Sequence, residues 1–454
     1  MNPENYLTVQ PIPKLIRKLA VPACIGYFFH TMYNVVDTFF GGLISTEALA
    51  SLSLSLPVYF IILAMGTGIS TGATALIGNA LGEGDREKAQ LFSIQGVTFG
   101  VFIAVLITIA GIWISPPVFI FLGASGEYLE MVFIYMNTIF LGSFFFMLVY
   151  MFNAILTSQG DTRSFRNFLI GGFILNILLD PWFIYGGLGI PPMEIMGIAL
   201  ATVLIQVIGA VYLGMRVYGT GLLEGKTMGA FLPRWSMVKE IARQGFPATV
   251  SILSVGIGMY VITYFISQFG KEAVAAYGTA MRVEQIALAP TIGLNVATLT
   301  LVAQNNGARL FQRIRETINK VLFYGAVLMV LGGAGVIIFA PYLMGIFTED
   351  SGVIGIGTTY LRIDALVFYA YVVLFANVAV LQGVKRPMYA IWIGLSRQIV
   401  APIIVFYVLV FVLEVRLTSI WWGIFAITWC AAVITILYTR SVLGKIMEGP
   451  QSEP

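Results

Sequence analysis

Runs of twenty or more predominantly apolar residues recur from one end of this sequence to the other, and a helix needs roughly 20 such residues to cross the hydrocarbon core of a bilayer. Twelve can be counted, near residues 16–42, 52–80, 90–114, 128–155, 164–186, 194–218, 243–268, 273–304, 316–340, 356–384, 389–413 and 418–440. Membrane-spanning strands would be short and alternating, whereas these runs are continuous, so helices are expected. Composition agrees. With 58% of its residues hydrophobic and 10% charged, the chain lacks the polar groups to cover a water-soluble globule. The expected fold class is an all-α, multi-pass integral membrane protein.

Short cytoplasmic loops carry the excess of Lys and Arg. Lys14, Arg17 and Lys18 precede the first span, and Arg86 and Lys88, Arg163 and Arg166, Arg216 to Arg243, Arg309 to Lys320, Lys385 and Arg386, and Arg440 and Lys445 fill every second connection after it. The intervening loops hold almost no bases, Lys271 and Arg416 excepted. Both termini are expected in the cytoplasm. No charged n-region, short apolar stretch and small-residue cleavage site opens the chain, so no cleaved signal is expected. The net charge of +3 is a topology signal and gives no reason to expect nucleic acid.

The halves repeat. A shift of 225 places Pro22 on Pro247, Glu47 and Ala48 on Glu272 and Ala273, Ala50 on Ala275, Gly68 on Gly293 and Gly82 on Gly307. "TSQGDTR" meets "VLQGVKR" at a shift of 223. Each half holds an even number of spans, so both enter the membrane in one orientation, as in transporters built from parallel repeats. The expected domains are an amino-terminal six-helix lobe, 1–218, a linker, 219–240, and a carboxy-terminal six-helix lobe, 241–454.

The repeat also serves as a control on the acids. Asp37 falls on Ile262 and Asp180 near Ile403, so these carboxylates belong to the amino-terminal half alone, which points to a task given to one lobe. At about 1.5 Å per residue from the basic ends, Asp37 lies about 28 Å up the first span and Asp180 about 21 Å up the fifth. Tyr33 precedes Asp37, and Asn176 precedes Asp180, by four residues, so each acid shares a helix face with a hydrogen-bonding partner. Thr202 reaches a similar depth. Two nearby carboxylates in low dielectric resist ionising together, so the pair can carry a proton at physiological pH.

The pattern of Pro22 with Asp37 on the first span, "GNALGEGD" after the second, "LTSQGDTR" after the fourth, "NILLDP" on the fifth and "YLRID" at the start of the tenth resembles the MATE family, the multidrug and toxic compound extrusion transporters. The resemblance runs from about residue 14 to 442 and is nearest to the DinF-like prokaryotic branch, whose acidic cluster this chain keeps as Asp37, Asn153, Asn176, Asp180 and Thr202. It implies a monomeric inner-membrane antiporter, driven by protons or sodium, that exports amphipathic and often cationic compounds by alternating access, with the first helix bending at Pro22. No further cofactor and no metal site beyond the coupling ion is implied, with the proton as first choice and sodium as the alternative. The NorM-like branch carries acids in its seventh and tenth helices. Here the seventh has none, and the matching position in the tenth is nearer Tyr371 than Asp364.

The same residues admit rival readings. Asp37 and Asp180 could be structural hydrogen-bonders, although intramembrane acids are functional by default. An intramembrane aspartyl protease would carry "YD" and "GxGD" motifs around its acids; neither surrounds Asp37 or Asp180, and "GEGD" at residues 82–85 has no "YD" partner, so no enzyme is expected. A channel would need rings of charge or carbonyls. A lipid-linked precursor flippase is the alternative within transport, and a non-transport scaffold the alternative outside it. His30 is expected to meet water or a neighbouring helix rather than relay protons. Arg282, Glu284, Arg362, Asp364 and Arg397 nearly balance in sign, so an internal salt-bridge network is expected, with a second coupling site as the alternative. "GTGISTG", residues 66–72, reads as small-residue helix packing. Cys24 and Cys430 read as packing residues.

Overall fold

The computed structural model describes residues 5–187, 189–223 and 228–448. Among these, eleven helices are long and apolar enough to cross a membrane, and a twelfth span is a pair bent by 51° at a short break. In chain order they are α1 Ile12–Ile44, α2 Thr46–Gly82, α3 Arg86–Phe121, α4 Gly126–Ser158, α5 Arg163–Tyr185, α6 Glu194–Tyr218, α7 Trp235–Ser267, α8 Lys271–Gly307, α9 Phe311–Gly345, the bent α10 with segments Ser351–Asp364 and Phe368–Gly383, α11 Tyr389–Val412 and α12 Thr418–Glu448. The protein is an all-α, multi-pass membrane protein. Capping side chains sit in the connections: Ser45 accepts from the Ala48 N–H, Asp85 from Lys88, and Asp350 from Gly352 and Val353. Each satisfies amides that lipid could not.

The described chain forms two compact units. One comprises Ile25–Thr249, and its core runs through α2 to α6 on residues such as Phe92, Phe140, Phe146 and Ile198. The other comprises the first 24 residues with Val250 onward. Its largest apolar cluster gathers Phe265, Tyr277, Tyr360, Phe368, Phe406 and Trp421.

Where the sequence placed boundaries at 218 and 241, the units instead divide inside helices. The breaks follow Cys24 in α1 and Thr249 in α7, two residues beyond Pro22 and Pro247 and separated by the same shift of 225 that relates the halves. Close helix contact explains this. A Cβ on Gly68 of α2 would lie 2.6 Å from the Thr249 backbone N, and one on Gly293 of α8 would lie 3.1 Å from the Cys24 backbone N. The opening stretch of α7 is thus held on α2, and that of α1 on α8. "GTGISTG" is packing surface, as expected. Replacing Gly68 with Leu should therefore destabilise the Ile25–Thr249 unit by about 1–3 kcal/mol through overpacking. A thermal-unfolding scan in detergent checks this, and an unchanged midpoint would remove the contact's significance.

The segment between α6 and α7 does not hang free. Gln95 donates to the carbonyls of Ala230 and Leu232 and accepts from the Arg234 N–H, while Arg86 and Gln90 donate to the carbonyls of Thr220 and Gly221. Residues 224–227 of the expected linker lie outside the described residues.

Two residue placements differ from the sequence reading. Asp180 is fully buried, whereas Ile403, its expected counterpart, is 45% exposed. Two π-helical turns in α11, Ser396–Val400 and Val408–Val412, each widen the helix and slide the register. Ile262, at 9% exposure, does match the burial of Asp37 at 8%. Cys430 is exposed rather than packed, and Cys24 is intermediate.

Candidate functional site

In the Ile25–Thr249 unit the two acids meet through one amide. Asn176 Nδ2 on α5 donates to Asp37 Oδ1 on α1 at 2.8 Å and to Asp180 Oδ1, one turn further along α5, at 3.0 Å. A carboxylate can only accept, and the amide nitrogen has two hydrogens, so this orientation of the side chain is the one that two unprotonated oxygens require. Close helix approach sets the geometry. A Cβ on Gly197 of α6 would stand 2.8 Å from the backbone of Phe183, three residues beyond Asp180, so only glycine lets α6 come this near α5. That approach brings Thr202, five residues on, to the acids.

The cluster is closed and incompletely paired. Asn176 and Asp180 have no exposed surface, Thr202 is 1% exposed, and Tyr33 packs beside them. Four of its atoms lack a hydrogen-bond partner: the Tyr33 hydroxyl, Asn176 Oδ1, Asp180 Oδ2 and Thr202 Oγ1. Two hydroxyl donors thus stand near two acceptors without being engaged. A small change in side-chain position, or one added proton, would complete the network. Orphaned buried polar atoms are expensive, and four of them gather in this cluster.

Of the residues singled out from sequence, Tyr33, Asp37, Asn176, Asp180 and Thr202 converge. Asn153 does not join the described hydrogen bonds of the acids; its Oδ1 accepts from Thr157 on its own helix at 3.1 Å. His30 packs edge-on to Tyr27, with ring centroids 6.4 Å apart, and no described hydrogen bond connects it to Asp37. Tyr135 on α4 and Tyr59 on α2 stand close enough to feel the charge of Asp37, and sequence reasoning passed over both. The repeat carried a signal for them, since α4 and the first segment of α10 begin 225 residues apart and that shift places Tyr135 on Tyr360, and Tyr59 on Glu284.

The second unit corrects another expectation. Arg282, Glu284, Arg362, Asp364 and Arg397 form no ion pair among the described residues. Glu284 accepts from the Tyr360 hydroxyl at 2.8 Å, the Arg397 guanidinium lies 5.4 Å over the Tyr371 ring, and Arg362 reaches a backbone carbonyl at 3.4 Å. Asp364, at the break of α10, is buried beside Glu284 with neither carboxyl oxygen hydrogen-bonded. Aromatic rings separate the charges, with Tyr360 edge-on to Trp421 at 4.9 Å. Glu284, Tyr360, Tyr371 and Arg397 line a cavity of about 190 Å³. This half therefore holds a buried acid pair of its own at positions not equivalent to Asp37 and Asp180. The repeat control, which compared matched positions only, could not register it.

Comparison with known proteins adds the following. A sequence profile described as MatE matches residues 22–182 and 247–413, beginning in each half at the paired prolines. A probable multidrug resistance protein NorM of Thermotoga maritima is 30% identical over 80% of this chain and 79% of its own. An FAD transporter of Shewanella oneidensis is 29% identical over 88% of each chain. A multidrug export protein, MepA, of Staphylococcus aureus is 24% identical over 79% of this chain and 78% of its own. Among solved structures, a multidrug resistance MATE transporter in an outward-facing conformation matches at a TM-score of 0.90 with 25% identity, covering 98% of each chain. A MATE protein in its bent conformation also scores 0.90 at 25% identity, covering 99% of this chain and 100% of its own.

Proposed function

We propose, from the premise that this chain belongs to the MATE family of membrane transporters, that it is an antiporter exporting amphipathic organic compounds in exchange for protons taken up at Asp37 and Asp180. One observation carries the choice of site: a single buried amide holds two carboxylates from different helices, with unpaired hydroxyls beside them. With both acids ionised, two negative charges share one neutral donor in a low dielectric, which is costly. A proton removes that cost and supplies a donor for the orphaned acceptors. A sodium ion is the alternative. Both Oδ1 atoms are already turned toward the N–H hydrogens of Asn176, which leaves Asp180 Oδ2, Asn176 Oδ1 and Thr202 Oγ1 as the oxygens open to a cation, and the separate gradients below distinguish the two ions.

Motion follows from α1. Pro22 lacks the N–H that would bond the carbonyl four residues earlier, so the helix can bend there at low cost. Protonation biases that helix between two packings by the difference in proton affinity between them, about 1.4 kcal/mol for each unit of pKa difference. The reading places the chain in the inner membrane with both termini in the cytoplasm, which the spacing of basic loops supports.

The deciding experiment uses purified protein in sealed vesicles, with pH and sodium gradients imposed separately. An organic-cation dye should move against its gradient when the pH gradient alone is present. Movement with sodium alone would overturn the choice of ion. Selective movement of FAD, the substrate named for the Shewanella relative, would overturn the substrate class.

A further inference from the structure

We infer that a pocket at the basic end of the carboxy-terminal unit, between α9, α10 and α12, holds the phosphate-bearing headgroup of an anionic phospholipid. The cavity measures about 430 Å³ and takes polar side chains from three helices: Arg315 and Asn319 from α9, Asn377 from α10, and Thr439 and Arg440 from α12. No acid lines it. Neither arginine has an ion-pair partner among the described residues, and both are exposed enough to be reached. Two guanidinium groups at one opening thus lack a counter-charge. The Thr439 hydroxyl, 1% exposed, is also unpartnered at the pocket. Phosphate oxygens only accept, and guanidinium forks and a hydroxyl only need an acceptor, so the pocket and a phosphate group complete each other.

The repeat supplies the contrast. In the other unit a smaller pocket holds Arg216, and there the guanidinium has Asp161 at 3.8 Å and Ser164 Oγ at 3.1 Å. Asp161 belongs to "TSQGDTR", and its counterpart in "VLQGVKR" is Val384. Val384 is buried among Ile318 and Leu443, beside the arginine pocket. One half carries its own anion; the other has replaced it with valine and leaves its arginines open to an external one.

A lipid rather than a free phosphate is the source. Leu322 and Ile436 form apolar walls of the pocket, and Phe323, Ile434 and Leu437 on the same helices are exposed, a surface suited to acyl chains. Lys385, Arg386 and Lys445 extend the positive charge along the same helix ends, as at the headgroup level of an anionic leaflet.

The test is native mass spectrometry of the protein released from nanodiscs containing equal amounts of phosphatidylglycerol and phosphatidylcholine. The parent should retain phosphatidylglycerol preferentially. R315Q/R440Q should lower that preference by about tenfold. K320Q, which removes an exposed charge of α9 outside the pocket, should keep it. T439V, which leaves both surface charges in place, should give a smaller loss and reads the pocket even if the double variant folds poorly. Equal retention of the two lipids, or equal losses in K320Q and the double variant, would overturn the site. Occupancy by added inorganic phosphate without any lipid preference would overturn the lipid assignment.

Discussion

Asp37→Asn is expected to insert and fold as the parent does, yet to reduce pH-gradient-driven efflux to the level of protein-free vesicles. The substitution keeps the size of the side chain and leaves an oxygen for the Asn176 amide, which donates to Asp37 at 2.8 Å. Packing is therefore conserved. What disappears is the second charge. Asp180 no longer competes with a neighbouring carboxylate for Asn176, and α1 no longer carries a group that titrates in the site. A ligand shifts an equilibrium only by its differential affinity for the two states, and here the proton loses its hold on α1. Substrate binding should survive, since the variant keeps the size of the side chain and removes only its charge. Binding is checked by dye fluorescence on the same preparation that shows no efflux. Full gradient-driven efflux from the variant would show that the amino-terminal pair is a structural hydrogen-bonding cluster.

Much of this architecture was legible in the sequence, and the reasons are physical. Span length is dictated by bilayer thickness, so twelve helices can be counted from residue runs alone, including α10, which the structure bends by 51°. Depth along helices of fixed rise left Asp37 and Asp180 able to meet, but residue spacing does not say that α1 and α5 are neighbours, and the shared contact through Asn176 is seen in the structure. The division into units was not legible as a boundary, because a sequence marks loops, whereas the units part within α1 and α7. The cause lies in Gly68 and Gly293, whose missing side chains admit the opening stretches of α7 and α1. Nor could residue spacing foresee the two π turns of α11 or the exposure of Ile403 between them. The contacts of the carboxy-terminal charges are hidden from sequence for a different reason. Opposite signs in neighbouring spans invite pairing, but intervening rings of Tyr360, Tyr371 and Trp421 take up the contacts.

Asn176→Leu is expected to have the largest effect on stability, and its pH dependence distinguishes a charge-holding amide from a packing residue. Asn176 is fully buried and is the one described donor to both acids. Leu has a similar volume but no N–H, so two carboxyl groups remain in a closed site with no donor between them. Leaving a buried acceptor unsatisfied typically costs about 1–3 kcal/mol, and more when it is charged. That cost applies while the acids are ionised. As pH falls and they take up protons, each gains its own O–H donor and the missing amide matters less. The difference in unfolding midpoint between parent and variant should therefore be widest at alkaline pH and narrow toward acid. In the Asp37→Asn background one of the two charges is already gone, so the same Asn176→Leu change should cost less, and the four proteins form a double-mutant cycle with a nonzero coupling energy. A midpoint difference that stays constant with pH, and costs that add across the cycle, would mean that Asn176 supports the helix contact alone and that the proton binds elsewhere.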